Sequence, residues 1–192
     1  MSFIAKWNKF VVNESEKPKG KYVKRLTVFD FDGTLFRSPE KPEGFKGNWW
    51  ASKESLAEPH VPESPDRSYW FKDTIAAAEE AFDNSKTYSV MMTGRMQRNF
   101  EKRILDLLEQ NGINFNEVHM NDSGQDTEKF KLQEIKKILK KYPTISLVEI
   151  WDDKADHLKY FKKELETDNL KVKINKVDNV IDEARKRSLY KY

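Results

Sequence analysis

The sequence contains no cysteine, which excludes disulfide bonds and thiolate metal sites and favours a reducing compartment, the cytoplasm. Long apolar runs are missing as well, so the residues predict neither a membrane span nor a secretory signal. Neither sign of charge dominates, because 35 Lys and Arg residues nearly balance 32 Asp and Glu residues and leave a formal net charge of +3. A phosphate-rich partner is therefore permitted but not required.

Prolines are scarce outside one region of the chain. Five of the seven prolines lie between residues 39 and 65, in a stretch that also holds Trp49 and Trp50. A loop of this length in a compact domain is usually functional or disordered, and its aromatic residues indicate that it folds against something. At 192 residues the chain has room for one core with a small insertion. We expect a single domain over residues 1–192, with residues 37–65 as a flap or cap insertion.

Two aspartates follow an apolar run near the start of this domain. The run from Leu26 to Phe29 predicts a buried strand that ends in Asp30 and Asp32, and Gly33 and Thr34 follow in a predicted tight turn. Residues at i and i+2 of an extended chain lie on the same side, so Asp30 and Asp32 are expected to face one site. A divalent cation would remove the repulsion between them, and oxygen ligands favour Mg²⁺. An ordinary Asp-Gly turn after a core strand is the alternative.

Strand and helix patterns alternate along the rest of the chain. We predict helices over residues 66–84, 95–111, 127–142 and from 156 onward, and strands over 88–93, 116–120, 145–151 and 170–177. A short strand or lead-in at 2–12 and a basic helix at 181–192 complete the prediction. Because parallel strands need helical crossovers, this alternation predicts an α/β doubly wound parallel sheet, with the Asp30 strand central and helices on both faces.

Polar residues follow two further predicted strands. Thr93, Gly94 and Arg95 come at the end of the strand at 88–93, and Asp152 and Asp153 follow the strand at 145–151. A threonine hydroxyl and the backbone N–H groups near Gly94 could donate hydrogen bonds to phosphoryl oxygens. The Arg95 guanidinium could grip a phosphate bidentately, which a lysine could not. These residues therefore predict a phosphate site at the same edge of the sheet as Asp30.

Four short motifs occur in a fixed order along these elements. They are Asp30-Phe31-Asp32-Gly33-Thr34, Thr93 at a strand end, Lys131 in the first turn of a helix, and the pair Asp152-Asp153. In this order they resemble the signatures of the haloacid dehalogenase (HAD) superfamily, most of whose members are magnesium-dependent phosphatases. The resemblance implies a Rossmann-like fold and a HAD-type phosphatase.

The resemblance also implies roles for these residues. Asp30 would form an aspartyl phosphate, while Asp32 would act first as general acid and then as general base. Lys131 would offset phosphoryl charge; Lys129 is the competing candidate, and surface solvation is the alternative for both. Mg²⁺ would be held by Asp30, the carbonyl of Asp32 and Asp153, with Asp152 as the other choice.

A narrower resemblance concerns the substrate. It rests on Thr93-Gly94-Arg95, Thr127, Phe130-Lys131, Tyr142-Pro143 and Asp153 with His157. These resemble the HAD domain of Swiss Army knife RNA-repair proteins and, more distantly, the phosphatase domain of phage polynucleotide kinase-phosphatase. The resemblance implies action on an RNA or DNA end, in particular an RNA 3′ end, with Arg95 on a phosphate and Trp49 and Trp50 beside the terminal base.

Three alternatives stay open at this point. A tryptophan of the insertion could pin the loop to the core instead of contacting substrate. The substrate could be a nucleotide or another small phosphomonoester, which the fold allows equally well. The protein could also be a non-catalytic binding protein that kept its metal site. The basic run at 17–25 is compatible with nucleic acid, but a solvated loop explains it as well.

Overall fold

The computed structural model describes residues 22–178. The predicted elements at 2–12 and 181–192, and most of the basic run at 17–25, lie outside the described residues. One sheet is formed by five parallel strands: β1 (Arg25–Asp30), β2 (Thr87–Met96), β3 (Glu117–Asn121), β4 (Leu147–Asp152) and β5 (Lys171–Lys176). Their order is β3-β2-β1-β4-β5, so the Asp30 strand is central. The prediction of a doubly wound parallel α/β sheet is confirmed.

Four helices cover the two faces of this sheet: α1 (Lys72–Asp83), α2 (Gln97–Gln110), α3 (Thr127–Lys141) and α4 (Ala155–Leu165). Successive strand residues point to opposite faces, and two separate apolar clusters result. Phe29 and Met91 pack with residues of α1 and α2, whereas Val28 and Val90 pack with residues of α3 and α4. Because both faces of β1 and β2 are buried, these strands read as continuous apolar runs in the sequence.

The first predicted helix, over residues 66–84, begins later than its pattern indicates. Residues 67–69 form a 3₁₀ turn capped by Asp66, whose side chain accepts from the Ser68 amide at 2.7 Å. Trp70 then pairs with Phe36 in an antiparallel bridge, and the Phe71 amide donates to the Leu35 carbonyl at 3.0 Å. This pairing holds the chain extended, so α1 starts only at Lys72. Backbone pairing with the segment after the first motif overrides the helical pattern here.

The insertion at residues 37–65 is built from irregular backbone and two short 3₁₀ helices, Trp49–Ala51 and Lys53–Leu56. Arg103 of α2 ties it down, because its guanidinium donates to the carbonyls of Leu56, Pro62 and Glu63 at 2.8, 2.6 and 2.7 Å. Leu56 and Val61 are buried in the cluster beneath α1 and α2. The insertion therefore packs on the sheet domain at the side of α2; its role as a flap or cap stays a prediction.

None of the helices within residues 22–178 is long and apolar enough to cross a bilayer. The compartment in which the protein works stays a prediction.

Candidate active site

The carboxyl ends of β1, β2 and β4 meet at one edge of the sheet. Asp30 is the last residue of β1, Asp152 is the last residue of β4, and Thr93 lies near the end of β2. Parallel pairing aligns these ends, since Asp30 pairs with Met92 and Phe29 pairs with Trp151. In open α/β sheets ligands bind at this edge.

A buried lysine joins two of these strand ends. Lys131 Nζ donates to Asp30 Oδ1 at 2.7 Å and to Asp152 Oδ2 at 2.8 Å, and the lysine side chain is 2% exposed. Lys131 lies one helical turn after Thr127, the first residue of α3, and is among the buried residues of this helix. Lys129 points elsewhere: its side chain is 60% exposed and paired with Asp126. The structure therefore brings Lys131, and not Lys129, to the strand-end aspartates.

Burial and charge act together on this cluster. Burial raises the pKa of Asp30, the charges of Asp152 and Asp32 raise it further, and Lys131 opposes both effects. Burial alone would also raise the pKa of Asp152, but Lys131 and His157 bring it below its ordinary value. For Lys131, the two carboxylates outweigh burial and hold the pKa above its ordinary value. The lysine therefore stays charged beside its two aspartates at neutral pH.

Three carboxylates at this edge have the composition and spacing of a site for a hard cation. One oxygen from each of Asp30, Asp152 and Asp153 lies within 4.8 Å of the others. Asp153 Oδ1 is buried and has no hydrogen-bond partner among residues 22–178, whereas Asp152 Oδ1 accepts from the Lys154 amide at 2.9 Å. An all-oxygen set with one unsatisfied buried oxygen fits Mg²⁺. The Asp32 carboxylate lies outside this group.

Asp32 is held instead by donors on its other side. Arg95 Nε lies 2.9 and 3.0 Å from its two carboxylate oxygens, and Arg95 Nη2 donates to Oδ1 at 2.8 Å. Ser38 Oγ also donates to Oδ1, and Thr93 Oγ1 lies 3.4 Å from Oδ2. The Asp32 side chain remains 20% exposed. Its carboxylate is therefore fixed in orientation but still partly exposed to solvent.

Arg95 contacts protein groups in this structure, and its predicted contact with a substrate phosphate stays a prediction. The Arg95 side chain is 2% exposed, and two of its three guanidinium nitrogens are bound to Asp32. The third, Nη1, donates to Ser55 Oγ at 2.7 Å. A guanidinium with these partners has no free pair of N–H donors for a phosphate, because a neighbouring carboxylate already accepts from that pair. In this structure the Arg95 guanidinium therefore holds the carboxylate of Asp32.

The two tryptophans of the insertion have opposite environments. Trp49 is 1% exposed, donates from Nε1 to the Pro39 carbonyl at 2.8 Å, and packs edge-on against Phe45 and His60. The Trp49 ring is therefore enclosed by the insertion itself, and its predicted contact with a substrate base stays a prediction. Trp50 is 46% exposed, and its ring centroid lies 5.5 Å from the Arg95 guanidinium carbon. Its contact with a substrate base stays a prediction.

Some site residues were not singled out from the sequence. Ser38 and Ser55 contact Asp32 and Arg95, but an isolated serine in a loop gives no signal of its role. His157 entered the narrower resemblance without an assigned partner, and its Nδ1 lies 3.5 Å from Asp152 Oδ2. The spacing of His157 on the first turn of α4, after the acidic pair, is the signal that could have assigned it to Asp152.

Gly94 gives α3 its close approach to the end of β2. A Cβ atom at Gly94 would lie 2.2 Å from Thr127 Oγ1 and 3.1 Å from Thr127 Cβ. Because Thr127 begins the helix that carries Lys131, we expect Gly94→Ala to displace this helix and to lower both stability, by about 1–3 kcal/mol, and turnover. Urea unfolding and phosphatase assays measure the two effects.

The matched control for this prediction is Thr127→Ala, which removes the atoms that a Gly94 side chain would strike. Alone it should have a small effect, and combined with Gly94→Ala it should restore part of the lost stability, since only the 3.1 Å contact remains. If the double variant is no more stable than Gly94→Ala, the loss has another cause.

A lysine buried between strand-end aspartates on a doubly wound parallel sheet, next to a strand-end threonine, is the arrangement of a HAD-type hydrolase. The chain belongs to HAD domain family 1 in Swiss Army Knife RNA repair proteins, whose family model matches residues 31–192, starting directly after Asp30. Membership in this family supports a HAD-type phosphatase.

A more distant similarity is found in yeast. The chain is 27% identical over 168 residues to an uncharacterized protein of Saccharomyces cerevisiae, and the match covers 73% of this chain. It spans 36% of the length of the yeast protein. No solved structure matches the chain.

Proposed function

We propose that this protein is a Mg²⁺-dependent phosphomonoester hydrolase that works through an aspartyl phosphate on Asp30 and acts on a polynucleotide end, in particular an RNA 3′ phosphate. The observation that carries the proposal is the buried lysine that bridges Asp30 and Asp152 beside an unsatisfied oxygen of Asp153. Lys131 places a positive charge beside Asp30, where phosphoryl oxygens must be stabilised.

The proposed reaction assigns a residue to each step. Asp30 Oδ1 is held by Lys131, which leaves Oδ2 to attack phosphorus while the ester oxygen departs with a proton from Asp32. Asp32 then removes a proton from the water that hydrolyses the aspartyl phosphate, and inorganic phosphate and free Asp30 result. Thr93 and the backbone N–H groups near Gly94 bind phosphoryl oxygens, and Lys131 offsets their charge.

The residues that would hold Mg²⁺ are Asp30, the carbonyl of Asp32 and Asp153. Asp153 is favoured over Asp152 because both Asp152 oxygens already accept hydrogen bonds, from Lys131 and from the Lys154 amide. When bound, Mg²⁺ would supply charge stabilisation to the transferred phosphoryl group. Asp152 is then the residue that orients Lys131, and His157 supports Asp152 from α4.

Metal removal tests this part of the proposal. We expect excess EDTA to abolish hydrolysis of a generic phosphomonoester and added Mg²⁺ to restore it, because Asp30 and Asp153 would otherwise lack the divalent cation that offsets their mutual repulsion. Asp153→Asn should raise the Mg²⁺ concentration needed for half-maximal activity, whereas the exposed Asp156→Asn should not. Activity that survives complete metal removal contradicts the magnesium role.

The substrate class rests on Trp50 and on the family. The exposed Trp50 ring lies beside the Asp32–Arg95 pair, where it could stack on the base next to the scissile phosphate. A phosphatase of nucleotides or other small phosphomonoesters is the second candidate. The burial of Arg95 and Trp49 supports this candidate, because neither side chain is accessible to a polymer in this structure.

Salt dependence separates the two candidates. Affinity for a 3′-phosphorylated oligonucleotide should fall by about 0.7 log units per contacted phosphate for each tenfold rise in salt, and that for the matching mononucleotide much less. Trp50→Ala should lower kcat/KM for the oligonucleotide by about tenfold or more. Tyr22→Ala is the control, since Tyr22 is also exposed but precedes β1 at the opposite edge of the sheet. Equal efficiencies and equal salt slopes for the two substrates favour the small-molecule candidate.

A further inference from the structure

Arg95 joins Asp32 to the insertion through opposite sides of its guanidinium. Nε and Nη2 donate to the Asp32 carboxylate, whereas Nη1 donates to Ser55 Oγ at 2.7 Å and lies 3.5 Å from the Trp50 carbonyl oxygen. The rings of Trp50 and Phe100 cover the guanidinium, with centroids 5.5 and 4.6 Å from its central carbon. The guanidinium is therefore enclosed between the insertion, α2 and Asp32.

We propose that Arg95 is a positioning residue for Asp32, and that the insertion takes part in this positioning through Ser55. The inference rests on the proposed function, in which Asp32 transfers protons. The Asp32 side chain is 20% exposed and that of Arg95 is 2% exposed, so the carboxylate is accessible from solvent and its partner is not. A proton-transfer group must lie within hydrogen-bond reach of its target, and a displacement of about 1 Å lowers the rate by about 100-fold.

The shape of the contact favours positioning over phosphate binding. A planar guanidinium matches a carboxylate through two parallel donors, and this fixes the rotation of the carboxylate as well as its distance. Binding a substrate phosphate would require this buried pair to open, which would leave Asp32 without its cation. The hydroxyls of Ser38 and Thr93 approach the same carboxylate from other directions. The Asp32 carboxylate is therefore held by Arg95, Ser38 and Thr93 together.

Ser55 extends the arrangement into the insertion. Its hydroxyl is buried, and it satisfies the guanidinium nitrogen that points away from Asp32. Ser55 Oγ also donates to the Ser52 carbonyl at 2.7 Å, so the serine is itself fixed by a 3₁₀ turn. Without this hydroxyl one buried N–H would lose its best acceptor, and the guanidinium could rotate relative to Asp32. The insertion thus acts on the reaction through the position of Asp32.

Steady-state kinetics with a generic phosphomonoester in Mg²⁺ test the proposal. Arg95→Gln should lower kcat by about 100-fold, with KM and the inhibition constant of inorganic phosphate changed by less than about threefold. Arg95→Lys keeps the charge without the fork and should fall between wild type and Arg95→Gln. Ser55→Ala should lower kcat by about three- to tenfold, again without a change in phosphate inhibition.

Two exposed residues provide matched controls. Arg98→Gln changes an exposed arginine of α2, and Ser64→Ala changes an exposed serine of the insertion. Both should keep the wild-type kcat and KM. A rise in KM and in the phosphate inhibition constant with kcat retained in Arg95→Gln would overturn the proposal and make Arg95 a phosphate ligand. Wild-type kinetics in Arg95→Gln or in Ser55→Ala would overturn it as well.

Unfolding measurements separate failure of this inference from failure of the proposed function. The urea midpoints of Asp32→Asn, Arg95→Gln and the double variant need no activity. If Arg95 and Asp32 act as a unit, the double variant should unfold at no lower urea concentration than the less stable single variant. If the midpoint shift of the double variant equals the sum of the two single shifts, the pairing of Arg95 with Asp32 is overturned. A wild type that hydrolyses no phosphomonoester would remove the proposed function, and the midpoints would still decide whether Arg95 holds Asp32.

Discussion

Asp30→Asn is expected to abolish turnover while the protein stays folded. The amide is nearly isosteric with the carboxylate but cannot act as a nucleophile, so the loss of kcat should be about 10⁴-fold or more. The fold should persist because Lys131 keeps Asp152 as a partner at 2.8 Å. Activity on a generic phosphomonoester and far-UV circular dichroism provide the two readings.

Asp83→Asn is the control for this variant, because Asp83 is exposed at the end of α1 and lies outside the site. It should keep wild-type activity. Turnover by Asp30→Asn at the wild-type rate would rule out the aspartyl phosphate. A folded wild type without activity on any phosphomonoester, combined with Mg²⁺ binding, would leave the non-catalytic binding protein as the better description.

Lys131→Met should produce the largest loss of stability among the variants considered. It removes the cation between two buried carboxylates and leaves Asp30 and Asp152 facing each other unpaired. Breaking a buried ion pair in this way costs about 3–5 kcal/mol, and turnover should fall as well because no group offsets the phosphoryl charge. Urea unfolding at neutral pH gives the difference from wild type.

Lys129→Met is the matched control, since Lys129 lies on the same helix but is 60% exposed. It should change the unfolding free energy by less than about 1 kcal/mol and leave turnover intact. Equal effects of the two substitutions would contradict the placement of Lys131 at the site. The same pair of variants decides between the two lysines that the sequence left open.

The stability loss of Lys131→Met should depend on pH. In wild type the pKa of Asp152 lies below its ordinary value of 3.8, so its ionised form stabilises the fold above about pH 4 and this contribution is lost as pH falls. Without Lys131 this stabilisation is gone. The difference between wild type and variant should therefore be largest at neutral pH and should shrink in acid, where the carboxylates bind protons.

Local pattern was sufficient to predict most elements of the fold. The strands β2 to β5 and helices α2 to α4 were predicted within a few residues of their observed limits, because each carries its own apolar periodicity. The sequence left Lys131 and Lys129 open as alternatives, and the structure places Lys131 with Ile135 and Ile138 on the buried side of α3. The failure at residues 66–71 arose where a distant backbone segment paired with the chain.

Partners across the chain were not available from local pattern. The lysine that bridges the site lies 101 positions after Asp30, and Arg95 lies 63 positions after Asp32. A guanidinium at a strand end can bind a phosphate or a carboxylate equally well, so only the fold decides which one it meets. The same holds for Trp49 and Trp50, adjacent residues of which one is enclosed and the other exposed.

The sequence by itself determined a doubly wound α/β domain with acidic residues at the ends of its central strands. Periodicity and strand-end chemistry are local properties, and they specify which elements form and at which edge a ligand binds. Only the tertiary structure decided that Lys131 bridges Asp30 and Asp152 and that Arg95 holds Asp32 against the insertion. Burial and partner choice depend on contacts between distant segments, and packing and charge pairing settle these only when the whole core assembles.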